Sequence, residues 1–256
     1  MNIRILGAHN IESAETGCTS IIIDDVLAVD AGALTSRLSL TEQQKLKAIL
    51  LTHQHYDHIR DIPAIGMNFY LFEKTLDIYA SSIVCEVLST HLLNDVLYPN
   101  FAEKPPEKPA LRFNIIEPGK AATITGYQVL PVTVNHAVPT IGYQITSPDG
   151  KKTFITSDTG PGLADAWRQV SPDLLIIELT LLNKQESFAY KVGHLTPTLL
   201  QKELESFYSL KSYLPQVVLV HINPLDEKGI KAEIRAAEKA LKTKIRFARE
   251  GMRINI

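Results

Sequence analysis

Cysteine is scarce: only Cys18 and Cys85 occur in 256 residues, which excludes the small secreted scaffolds that depend on a disulfide framework. No apolar run approaches the roughly 20 residues that a membrane-crossing helix needs, so no membrane partner is expected. A basic excess is missing too. Lysine and arginine number 26 against 28 acidic residues, a formal net charge of −2, whereas proteins that grip a long polynucleotide usually carry a basic face. Nor does an apolar leader open the chain. Met1-Asn2-Ile3-Arg4-Ile5-Leu6 enters a strand pattern at once, which predicts a protein that is not exported and, with two cysteines, a cytoplasmic one. Repeats and low-complexity segments are absent. What is left is an ordinary composition, 45% hydrophobic and 21% charged, expected to build one core and one domain over residues 1–256.

Against that background the eight histidines are unevenly placed. Residues 53–58 are His-Gln-His-Tyr-Asp-His, directly after the apolar run Ala48-Ile49-Leu50-Leu51. Imidazole nitrogen and carboxylate oxygen are the donors that suit zinc and related divalent ions. Side chains alternate along an extended segment, so His53 and His55 face the same way. Asp57 and His58 continue round a tight turn, toward a second ion beside the first. Later strands repeat the design: Val129–Val134 leads to His136, Phe154-Ile155-Thr156-Ser157 to Asp158, and Val217–Val220 to His221. Leu27-Ala28-Val29 likewise delivers Asp30. Taken singly, His136 or His221 would be an ordinary core histidine; beside the 53–58 cluster they become candidate ligands, because functional groups gather at strand ends.

The run His-x-His-x-Asp-His, followed by single His, Asp and His after successive strands, resembles the metallo-β-lactamase superfamily over nearly the whole chain. That resemblance implies a four-layer αββα sandwich of α/β class with a dinuclear metal site at one edge. It implies that His53, His55 and His136 bind one divalent ion, that Asp57, His58 and His221 bind the other, and that Asp158 bridges them. Zinc is the expected metal, with manganese or iron as alternatives. Asp30 would orient a ligand imidazole from outside, or cap the turn at Gly32.

Within the superfamily, Gly193-His194-Leu195-Thr196-Pro197 and the carboxylate of Glu178 resemble class II cyclic-nucleotide phosphodiesterases. The implied reaction is phosphodiester hydrolysis by a hydroxide held at the ions, with His194 as general acid or phosphate clamp and Glu178 orienting it; Asp57 and Asp158 complete the catalytic set. The substrate would be a small phosphodiester, 3′,5′-cyclic nucleotides above all, handled by a possible homodimer. Three alternatives stand beside this: a thioester or lactone hydrolase of the type-II glyoxalase kind, a tRNA 3′-processing-like nuclease, and a non-catalytic metal-binding scaffold. Only a short turn and helix fit between Asp158 and Glu178, leaving no room for a tRNA-gripping arm. Tyr56 stands where class II phosphodiesterases commonly have leucine, and no aromatic residue is assigned to base stacking. The stretch 59–94 is expected to be helix-rich, with His91 structural, and the proline-rich segment 98–110 to be a lid or contact loop. His9, in the long polar loop 7–20, is expected to make an ordinary loop hydrogen bond.

Overall fold

The structure, a computed structural model, describes residues 1–256. The first half of the chain supplies β1 (Asn2–Gly7), β2 (Ser20–Ile23), β3 (Leu27–Val29), β4 (Ala48–Leu50), β5 (Leu76–Ala80) and β6 (Leu111–Ile115). The second supplies β7 (Ala122–Ile124), β8 (Tyr127–Val134), β9 (Thr140–Thr146), β10 (Lys152–Ile155), β11 (Leu174–Glu178), β12 (Gln216–Val220) and β13 (Ile245–Phe247). The last strand, β14 (Arg253–Asn255), returns to pair with β1, giving sheet orders β14-β1-β2-β3-β4-β5-β6 and β13-β12-β11-β10-β9-β8-β7. Each sheet begins as an antiparallel meander and then turns parallel, from β3 to β6 and from β10 to β13. Parallel strands present their C-terminal ends at one rim, and that rim carries the candidate residues.

Away from the sheet edges, β4 and β11 are buried along their whole length and so lack a polar side. Alternation sorts the faces. Ala48 and Leu50 of β4, with Leu174 and Ile176 of β11, join the core between the sheets. Ile49 turns the other way, toward α1 (Leu34–Arg37), α3 (Tyr56–Ile59), α4 (Ile62–Leu71) and α5 (Ser82–Val87), whose Leu34, Ile59, Ile65 and Val84 share its cluster; α2 (Leu40–Gln43) lies on the same side of the chain order. Leu175 and Ile177 face α6 (Ala164–Gln169), α7 (Glu186–Val192), α8 (Pro197–Lys211) and α9 (Glu227–Leu241), through Trp167, Ala189, Phe207 and Ile234. The result is the four-layer αββα sandwich expected. Thr196 caps α8 by accepting from the Leu199 amide at 3.3 Å, with Pro197 in the first turn. No helix is long and apolar enough to cross a membrane.

The stretch 59–94 is helix-rich as expected, with β5 lying inside it, paired between β4 and β6. Its five residues alternate buried and half-buried, a strand period masked by the apolar helices on either side. The segment 98–110 is not a lid over the strand C-termini. Phe101 is buried in the helical layer beside β4, Thr75 Oγ1 donates to the Pro109 carbonyl (2.7 Å), and Lys108 Nζ donates to the Glu73 carbonyl (2.6 Å). Those contacts lie where β5 begins, at the sheet end opposite the one bearing His53. His91 is exposed on a π-helical turn, Leu88–Leu92, and Cys85 is buried as core.

Candidate metal centre

Beyond β4 the chain stays extended through Leu51 and Thr52 to His53, which is fully buried. His55 is the residue preceding α3, and the helix carries Asp57 and His58 in its single turn. His136, Asp158 and His221 follow β8, β10 and β12. Asp30, Ser157 and His221 all adopt left-handed backbone, φ 59°, 60° and 56°. Each is a non-glycine residue that costs on the order of 1–3 kcal/mol in that region, and three of them cluster at one rim.

Two donor groups result. Ligand atoms of His53, His55, His136 and Asp158 lie within 4.8 Å of one another, as do those of Asp57, His58, Asp158 and His221. In the first, His55 Nδ1 sits 3.0 Å from His53 Nε2 and 3.2 Å from His136 Nε2. In the second, His221 Nε2 is 3.3 Å from Asp57 Oδ2 and 3.3 Å from Asp158 Oδ2. Asp158 faces both: Oδ2 is 3.8 Å from His53 Nε2, and Oδ1 is 3.3 Å from His58 Nε2. All seven predicted donors are thus brought together.

The far side of four of the five donor rings is fixed. His58 Nδ1 donates to Asp30 Oδ2 at 2.7 Å, so Asp30 is an orienting group and not merely a turn cap. The Thr52 hydroxyl donates to Asp30 (2.9 Å) and accepts from His53 Nδ1 at 3.0 Å. His136 Nδ1 donates to the Gly193 carbonyl at 2.8 Å. Gly193 is left-handed, φ 69°, and a Cβ there would lie 2.8 Å from the Ala137 amide nitrogen and the His136 Cα; only glycine allows that approach. His221 Nδ1 donates to Thr180 Oγ1 at 2.8 Å, which in turn donates to Glu178 Oε2 at 2.8 Å. Each of these four rings therefore commits Nδ1 outward and turns Nε2 to the interior, the arrangement that raises ligand basicity. Thr52, Thr180 and the Gly193 carbonyl were not foreseen as site groups. Thr52 adjoins the histidine run, which is a signal of sorts; Thr180, 41 residues from His221, offers none.

Residues 19–222 match the family profile described as the Beta-lactamase superfamily domain. The chain belongs to the metallo-β-lactamase superfamily. Yeast PDE1, in its unliganded crystal structure, superposes with a TM-score of 0.85 at 18% identity, covering 100% of this chain and 99% of that one. The metallo-β-lactamase fold protein YhfI from Bacillus subtilis superposes with a TM-score of 0.78 at 19% identity, covering 99% and 98%. Among curated proteins, ribonuclease Z of Thermococcus kodakarensis is 27% identical over 137 residues, 51% of this chain and 40% of that protein. This chain therefore spans less than half the length of that relative.

As a superfamily member the chain can be tested for fit to metal ions by its own electrostatics. Burial, then the charge of neighbouring imidazoles, holds His53 well below the usual imidazole range, and burial also lowers His55 and His136. Neutral rings with free lone pairs are what a divalent ion requires. Burial works against the charged forms of Asp158 and His58 as well, but the His221 and His58 charges hold Asp158 well below the carboxylate range, and Asp158 and Asp30 raise His58 well above the imidazole range. His58 Nε2 and Asp158 Oδ1 nevertheless remain buried with no hydrogen-bond partner. Orphans of that kind cost roughly 1–3 kcal/mol each, and a cation between them would satisfy both. The donor set fits divalent metal.

Next to the second group, Glu178 Oε1 accepts from His194 Nδ1 at 2.7 Å. Glu178 is fully buried and accepts from the Thr159 amide (3.1 Å). The His194 ring stacks on His221, centroids 5.3 Å apart and planes 16° from parallel. Burial opposes its charge, yet the Glu178 carboxylate raises it to about 9. His9, by contrast, is held by Glu250 Oε1 at 2.7 Å, the expected loop hydrogen bond.

Proposed function

We propose that the protein hydrolyses small phosphodiesters, 3′,5′-cyclic nucleotides above all, at a pair of divalent ions, zinc in the first place. The observation that carries this reading is the Glu178–His194 pair, set 2.7 Å apart against a ring of the second donor group. A thiolate departs without protonation, so thioester hydrolysis at two metals has little need of such a pair, whereas an alkoxide leaving group needs a proton or a cation beside it.

His53, His55 and His136 would hold one ion, Asp57, His58 and His221 the other, with Asp158 shared. When bound, two such ions supply charge to neutralise phosphoryl oxygens and make water a nucleophile near neutral pH. The chain's own groups do the rest. With Nδ1 committed to Glu178, His194 has only Nε2 to offer, and the Glu178 carboxylate, which raises the ring to about 9, favours a proton there. That proton goes to the leaving oxygen, while Glu178 stabilises the imidazolium and fixes its plane. Asp30, Thr52 and Thr180 keep the ligand rings aimed inward. Between Asp158 and the start of β11 the chain holds only α6 and its turns, which favours a small substrate over tRNA. The working unit proposed is a cytoplasmic homodimer.

The match to ribonuclease Z favours a second reading, a 3′-processing nuclease. One panel separates the two: metal analysis, then turnover of bis-p-nitrophenyl phosphate, cyclic AMP, cyclic GMP, a tRNA precursor with a 3′ trailer, and a glutathione thioester. Hydrolysis of the cyclic nucleotides is expected. Preference for the precursor selects the second reading, and preference for the thioester overturns both.

A further inference from the structure

Tyr56 interrupts the donor run between His55 and Asp57, and its side chain is 64% exposed. Its Cα stands one peptide unit, about 3.8 Å, from those of both neighbours, so an exposed aromatic side chain leaves the backbone beside the second donor group. Arg60, which follows α3, keeps helical backbone at φ −49°, ψ −42°. Residues four apart on a helix share a face, so Tyr56 and Arg60 lie together. Arg60 Nε donates to Asp61 Oδ1 at 3.0 Å, and its Nη1 pairs with Glu12 in the loop between β1 and β2.

That loop is held at three points. Glu250 Oε1 accepts from the Ala8 amide (3.2 Å), the Gly17 amide (2.9 Å) and His9 Nδ1 (2.7 Å). The Asn10 amide donates to the carbonyl of Ile222, the residue after His221. Glu12 is fixed by Arg60. Residues 10–12 therefore run from the neighbour of His221 to the face of α3 that carries Tyr56. Ile11 lies in the middle of that run, 41% exposed.

We propose that Tyr56 and Ile11 form the two walls of a slot that takes the planar heteroaromatic base of a nucleotide substrate, making them its specificity-determining residues. The inference rests on the phosphodiesterase reading and names its substrate class as base-bearing. A phosphate held between the two donor groups places the rest of a nucleotide outward past Asp57, toward the exposed ring. Every base has a π-face, and stacking on an aromatic side chain tolerates any sequence. The slot thus selects for a base without choosing among bases. Arg60 and Glu12 are positioning residues: they fix the height of Ile11 over Tyr56 without touching the ligand.

The test uses the zinc-loaded protein and compares binding of 5′-AMP with ribose 5-phosphate by calorimetry. Wild type is expected to bind 5′-AMP about tenfold tighter or more, the range that base stacking supplies. Tyr56→Ala and Tyr56→Leu should remove the preference while ribose 5-phosphate affinity and metal content stay unchanged; Tyr56→Phe should keep it. Equal binding of the two ligands by wild type overturns the slot, as does a preference that survives Tyr56→Ala. A loss in Tyr56→Ala that is the same for both ligands also overturns it, since Tyr56 would then serve only the metal centre. Cyclic AMP turnover on the same samples keeps the two claims apart. Base-dependent binding without hydrolysis supports the slot and removes the phosphodiesterase reading; hydrolysis without base preference does the reverse.

Discussion

The two donor groups share Asp158 but are built on different principles. The first has three imidazoles that burial keeps neutral, and Asp158 as its only carboxylate. The second has Asp57 as well as Asp158, and a histidine, His58, whose proton is held by two carboxylates. The first is therefore ready to accept an ion without displacing a proton. The second must release one, and gains stronger attraction for the cation in exchange. Adjacent sites on one rim are made unequal by what stands behind them: a backbone carbonyl and a hydroxyl behind the first, the buried carboxylate of Asp30 behind the second.

The largest effect should come from erasing what the groups share. Asp158→Ala is expected to lower metal content from two ions per chain to one or fewer and to take phosphodiester turnover below detection; two retained ions by elemental analysis would show that Asp158 bridges nothing. Next, His194→Ala should reduce kcat for cyclic AMP by about 10²–10⁴, the usual worth of a general acid, with both ions still bound. Unchanged kcat on a substrate with a poor leaving group would remove His194 from the mechanism. Asp30→Asn separates the groups, because Asp30 touches His58 and reaches the first group only through Thr52. It should weaken the second ion by roughly 10–100-fold, leaving the first nearly unaffected. Equal weakening in a two-site titration would erase the distinction.

Acidity gives the smallest and most graded test. His53, His55 and His136 are held below the ordinary imidazole value of 6.5, so lowering pH from 8 to 6 should protonate them less than ordinary imidazoles and change the first ion's affinity less than the second's. His58 is raised well above 6.5, so in that same window it is protonated and an ion must displace the proton. Affinity at the second group should then rise with pH, by about tenfold per unit for one proton displaced. Zinc titrations at pH 6, 7 and 8 check this; parallel slopes for both ions would contradict it.

The seven donors were legible because four of them fall within six residues just after β4, and because the other three each follow an apolar strand. Local pattern and tertiary outcome agree there, since a parallel sheet brings its strand ends to one rim. Thr180 was not legible: its hydroxyl serves His221 only because β11 and β12 are neighbours in register, Glu178 opposite Val220. Gly193 was visible as part of a motif, but not as the carbonyl that sets the His136 tautomer. β5 was hidden by its surroundings, three buried residues in a stretch dominated by helical apolar faces. The 98–110 segment misled through composition. Prolines and charges mark a surface loop, but they do not say which end of a sheet the loop covers.

The most direct test is a crystal structure of the protein grown with zinc, phased by anomalous scattering at the zinc edge. Two peaks per chain are predicted, one within bonding distance of His53, His55 and His136 and one of Asp57, His58 and His221, with Asp158 between them. A single peak, or ions held by other side chains while these seven stay unliganded, would contradict the account.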